Sequence, residues 1–116
     1  VGKERQAMSQ HYYDTQTSSG RNVQVLMGWD RPLQQFFLVV EDMDQSDEEQ
    51  DPHLYSNLGD AGSLGLTDLG YFLNKLKELG ITIPERMVNE IQADCCMNMG
   101  NRQVGYNKNG TIICKV

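Results

Sequence analysis

The sequence predicts an α+β domain: a small antiparallel sheet of four to six strands, covered on one face by two helices. Three observations point to it. Two apolar runs, 23–27 and 36–40, flank a compact Gly28-Trp29-Asp30-Arg31-Pro32-Leu33 bend and are rich in the β-branched and aromatic residues that suit a pleated surface. A single stripe of Leu66, Leu69, Phe72, Leu73, Leu76 and Leu79 recurs at three- and four-residue steps, the spacing of one helical face. Near the end, Asn109-Gly110 separates Val104 and Tyr106 from the alternating Ile112, Cys114 and Val116, which reads as a hairpin.

Taken in order, residues 1–10 read as a disordered N-terminal extension, and 11–116 as one domain. A first strand spans 11–17, followed by a turn over Ser18-Ser19-Gly20-Arg21 in which Gly20 supplies a positive φ. The two apolar runs form the second and third strands, at the centre of the sheet. Gly28 reaches backbone angles closed to other residues, and Pro32 pushes Arg31 away from helix. Residues 42–52 read as a mobile acidic loop, and 53–58 as a short fourth strand. Thr67 is placed to cap the first helix and Gly80 to end it; a second helix starts near Pro84, carries Met87, Val88, Ile91 and Cys95 inward, and stops at Gly100.

The net charge of −6 is unevenly distributed, because seven acids and no base lie between Glu41 and Asp51. Without them, ten bases stand against nine acids. A nucleic-acid interface needs a cluster of Lys and Arg that releases counterions, and none is present, so no nucleic-acid partner is expected. No apolar run nears the roughly 20 residues that span a bilayer, and no secretory n-region and h-region opens the chain, so no membrane partner is expected either. Three cysteines, two of them adjacent, do not make a disulfide framework and favour a reducing cytoplasm.

Chemistry-bearing patterns are sparse. Asp42, Asp44, Ser46 and Glu48 alternate like the front of an EF-hand loop, but Asp47 stands where Gly is needed and His53 where the closing Glu belongs. Cys95, Cys96 and Cys114 with His11 and His53 lack the paired spacing of a zinc site, so no metal and no cofactor is expected. No nucleophile elbow, phosphate-cradling loop or HExxH occurs, and no catalytic residue is assigned. Trp29 at the bend reads in two ways, as an interface anchor beside Asp30 and Arg31 or as a plug at the end of the sheet.

The strings GWDRPLQQFF (28–37) and LYSNL (54–58), the two helices, and GNR (100–102) together resemble a group of small uncharacterised bacterial proteins. The resemblance covers about residues 22–102. It implies a bacterial, cytoplasmic protein, attaches no activity, and draws attention to the bend and to Ser56-Asn57. The resulting expectation is a non-enzymatic protein-binding or regulatory module using Trp29, Asp30, Arg31, Ser56 and Asn57, with a protein partner or a homodimer. The alternative is a small hydrolase or transferase using Asp30, Arg31, His53, Ser56 and Asn57.

Overall fold

The computed structural model describes residues 8–43, 53–60, 62 and 68–115. The fold is α+β. The strands are β1 (Ser9–Gln16), β2 (Asn22–Asp30), β3 (Gln35–Asp42), β4 (His53–Ser56), β5 (Arg102–Tyr106) and β6 (Ile112–Lys115), and the helices α1 (Gly70–Glu78) and α2 (Glu85–Cys96) lie between β4 and β5 in the chain. One sheet contains all six strands in the order β4-β3-β2-β1-β5-β6.

The first four strands form an antiparallel meander, with short turns joining β1 to β2 and β2 to β3. The sheet departs from the antiparallel expectation at one junction, where β5 runs parallel to β1 and pairs His11 with Val104 and Tyr13 with Tyr106. Parallel neighbours need a long crossover, and the two helices provide it. They carry the chain from the β4 edge across β3, β2 and β1 to the far side of β1, and so cover one face of the sheet. The tail is therefore integral: β5 lies inside the sheet, and β6 forms its edge.

Alternation along the strands sorts the faces. Tyr13 of β1, Val23, Val25, Met27 and Trp29 of β2, and Phe36, Leu38 and Val40 of β3 point beneath the helices and join one core. Phe72 and Leu76 of α1 and Met87 and Ile91 of α2 fill it from above. Tyr55 and Tyr71 both donate to Asp60 Oδ2, at 2.7 and 2.8 Å, and both meet the Phe72 ring edge-on, tying the end of β4 to α1. These two bonds hold the Asp60 carboxyl below its ordinary value.

Gly80 ends α1 as the sequence predicts, with φ of 74°; Ile81 N–H donates to Leu76 O and Gly80 N–H to Lys77 O, closing both orphan carbonyls. α2 ends earlier than Gly100. Asn98 takes the left-handed position, φ 49°, while Met99 N–H donates to Asp94 O and Asn98 N–H to Cys95 O. Asn is the second choice after Gly for that conformation, and it comes first along the chain. α1 begins at Gly70, whose N–H is taken by Asp68 Oδ1 at 2.9 Å. The predicted Thr67 cap and the stripe residue Leu66 lie outside the described residues.

Two boundaries shift. Residues 8–10 belong to the sheet, because β1 starts at Ser9 and Met8 bridges to Asp30. Asp42, assigned by sequence to the acidic loop, instead ends β3, buried and paired with Arg21. The predicted extension over 1–7 and the acidic stretch 44–52 lie outside the described residues.

Candidate functional site

The bend between β2 and β3 is built by its local chemistry. Asp30 Oδ1 accepts the Leu33 N–H at 3.1 Å and fixes the turn, and Gln34 closes it with φ 53°. Trp29 folds inward, only 3% exposed, with its ring edge-on to Phe36 at 5.2 Å. Of the two readings the sequence left open, the plug is the one the structure contains; a partner has no route to this ring. Asn98 joins the bend to the end of α2, its Oδ1 accepting from Trp29 Nε1 at 3.0 Å and from Gln34 Nε2 at 2.7 Å. Gly28 has its own constraint, since a Cβ there would lie 1.9 Å from the Ser9 carbonyl oxygen. That close approach seats the Ser9 hydroxyl to accept the Trp29 N–H at 3.0 Å.

Ser9 belongs to a polar cluster that sequence reasoning missed. Beneath α2, His11 Nε2 donates to Asp94 Oδ2 at 2.6 Å, and His11 Nδ1 meets the Tyr106 hydroxyl at 2.8 Å. A neutral ring accepts from that hydroxyl and a charged ring donates to it; in both cases the two ring nitrogens are occupied. Arg102 at the start of β5 forks across α2, with Nη1 to Asp94 Oδ1 at 2.5 Å and Nη2 to Glu90 Oε1 at 2.6 Å. Glu90 and Asp94 are four residues apart and therefore share a helix face.

Burial pushes the Asp94 carboxyl upward, but bonds from His11 and Ser9 and the charges of His11 and Arg102 outweigh it, and the net shift is downward. Burial, with the Glu90 charge adding to it, raises the Tyr106 phenol. The residue types are those of a catalytic relay, yet His11 and Asp94 are both 0% exposed and every ring nitrogen and carboxylate oxygen of the pair has a protein partner. No reacting atom can approach the imidazole in this arrangement. The cluster ties β1, β5 and α2 together.

A signal for it does exist in the sequence. Asp94 falls three residues after Ile91 and seven after Met87, on the apolar stripe itself, and the helix turns Asp94 inward with them. Cys95 is only partly covered; burial, then the neighbouring Cys96, raises its thiol, which keeps it protonated and a poor nucleophile.

Among the described residues, no α-helix covers the opposite face of the sheet. By register, Leu26, Gly28 and Asp30 of β2 lie there beside Val39, Phe37 and Gln35 of β3. Leu26, Phe37 and Val39 form the floor of a groove of about 220 Å³, with Met8 and Leu33 at its side. Its polar members are Gln10 of β1, Asp30 and Gln35 at the bend, and Asn57 after β4. Leu33 is 61% exposed, a large apolar side chain held in water by the turn. The volume is below the roughly 300–1,000 Å³ of ordinary small-molecule pockets and suits one or two inserted side chains.

The residues singled out by sequence thus separate. Asp30 and Asn57 share the groove; Ser56 pairs with Val39 on the same face of the sheet. Arg31 stands exposed on the bend, its Nη1 3.2 Å from where a Cβ on Gly100 would sit. Trp29 is on the other face. His53 lies in β4 opposite Glu41. Among the described residues no group of three His, Cys, Asp or Glu side chains is placed to hold a metal ion, and no helix is long and apolar enough to cross a membrane. Comparison with protein-family models, curated proteins and solved structures finds no match to this chain.

Proposed function

We propose that this chain is a protein-binding module that uses the open face of its sheet. The observation that carries this reading is the groove floored by Leu26, Phe37 and Val39, on a face that no α-helix covers among the described residues. A sheet normally buries its apolar face and wets its polar one. Here an apolar strip remains on the wet side, flanked by the half-buried Gln10 and Asp30, an arrangement of apolar floor and polar rim that matches a protein interface. A cytoplasmic setting belongs to the same proposal and rests on the free thiols of Cys95 and Cys96.

The test is capture from lysate with wild type beside Leu26→Lys, each first shown to be folded by thermal melt. Leu26 is half-buried on the open face, so a lysine there keeps the core intact and places a charge in the groove. A specific protein retained by wild type and lost by Leu26→Lys supports the proposal. Retention of the same protein by both, or no capture by a folded wild type, overturns it.

A further inference from the structure

Resting on that reading, the charges around the groove narrow its partner. Along β1 to β5, the strand positions that face away from the helices carry Asp14, Asp30 and Glu41 and no Lys or Arg. Asp14 is engaged by Gln24 Nε2 at 3.0 Å. Asp30 uses only Oδ1, for the Leu33 N–H; its other oxygen has no partner among the described residues, and the residue lines the groove. An apolar floor with an open carboxylate oxygen beside it is a receptor for two things at once, an apolar side chain and a cation.

We infer that the occupant is a basic, apolar segment of another protein: a Leu- or Phe-type side chain on the Leu26, Phe37 and Val39 floor, with a flanking Arg or Lys on Asp30. In an extended segment, side chains on one face recur every second residue, about 7 Å apart. Along β2, Asp30 stands two residues from Gly28, the partner of Phe37 on the floor, and four residues from Leu26. A second copy of this chain is a poor occupant, because a two-fold contact through this face sets acids against acids, and each copy carries a net charge of −6.

The experiment titrates the full chain into fluorescein-labelled peptides of about nine residues, the upper range of one strand. One set has a central Leu or Phe flanked by Arg or Lys. Matched sets replace the cations with Glu, or the apolar residue with Ser. The basic apolar set should bind roughly tenfold or more tighter than either control, and Asp30→Asn should weaken it about three- to tenfold, an effect that shrinks as salt rises. Leu26→Gln, a second and milder change on the floor, should weaken it by at least about threefold.

Equal binding of the Glu set or of the Ser set overturns the partner class, as does indifference to both substitutions in folded protein. A dimer in sedimentation that Leu26→Gln dissolves assigns the face to a second copy and also overturns it. If apolar peptides bind whatever their charge and Leu26→Gln removes them, the partner class falls while the binding-module reading stands. If no peptide binds, this inference falls, and lysate capture alone decides that broader reading.

Discussion

On the covered face of the sheet, Ser9, His11 and Asp94 are wholly removed from water, whereas on the open face Leu26, Val39 and Leu54 meet it. The acid–base pair of His11 and Asp94 is out of reach, and the accessible groove is lined mainly by apolar residues. The difference separates two roles. Under the helices, polar groups are tolerated because each has a partner, and together they set how α2 sits on β1 and β5. On the other side, apolar groups without partners leave a surface able to gain by association.

The largest expected effect breaks the covered side. Asp94→Ala leaves His11, Ser9 and Arg102 without their shared acceptor in a buried site, and unfolding by denaturant should show a loss of about 3–5 kcal/mol. A loss under about 1 kcal/mol would mean that the cluster is not a structural tie, and the contrast between the faces would collapse. Gly28→Ala should follow at about 2–3 kcal/mol, since its methyl would sit 1.9 Å from the Ser9 carbonyl oxygen and that oxygen belongs to the backbone.

The same tie sets a pH limit. Asp94 has a carboxyl held below its ordinary value of 3.8, so its contribution is complete above about pH 4 and is lost as pH falls below that toward the folded value. Tyr106 works in the other direction. Its phenol is raised from 10.0, so its contribution is complete below about pH 10 and declines as pH rises further. Thermal melts across pH should show both limbs in wild type, and Asp94→Asn should weaken the acid limb strongly and the alkaline one only slightly, since burial is the main cause of the Tyr106 shift.

Asn98 sharpens the comparison, because it touches both regions, ending α2 and holding the bend that carries Asp30 and Leu33. Asn98→Gly keeps the left-handed backbone and loses only the acceptor for Trp29 and Gln34, a cost of about 1 kcal/mol. Asn98→Ala loses the same bonds and adds the backbone penalty, for about 2 kcal/mol in all. Equal losses would show that the αL conformation at Asn98 is not what matters.

Much of this was legible in the chain. The β2–β3 pair, the Gly20 turn, the end of α1 at Gly80 and the last hairpin all follow from local rules, since each depends on residues adjacent in sequence. The parallel seam between β1 and β5 was not, because two short strands about ninety residues apart carry no mark of which edge they join. The buried cluster escaped for a different reason. Ser9 and His11 occupy inward positions of β1, and Asp94 an inward position of α2, so polar residues stood where periodicity expects apolar ones. Gly100 is the expected end of α2 because Gly is the commoner left-handed residue, although Asn98 precedes it and takes that conformation. On the open face, Asp30 is singled out by its place at the bend and Asn57 by the resemblance that draws attention to Ser56-Asn57. Leu26 and Phe37 were read only as parts of strands, since sequence does not reveal which face the helices take.

The smallest expected effect on stability is the most informative about function. Leu26→Gln changes a half-buried side chain on the open face of β2, outside the core that Val25 and Met27 join on the other side. Its cost to unfolding should stay within about 0.5 kcal/mol, as for surface substitutions generally. If the groove is a docking surface, the same variant loses partner binding at nearly full stability, while Asp94→Ala does the opposite, losing stability first and binding only as the fold fails. Measuring melting and binding on both variants therefore separates the two faces by the order in which the properties disappear. A Leu26→Gln variant that melts like Asp94→Ala would mean that the open face is already closed in the protein, and the groove would then belong to the core.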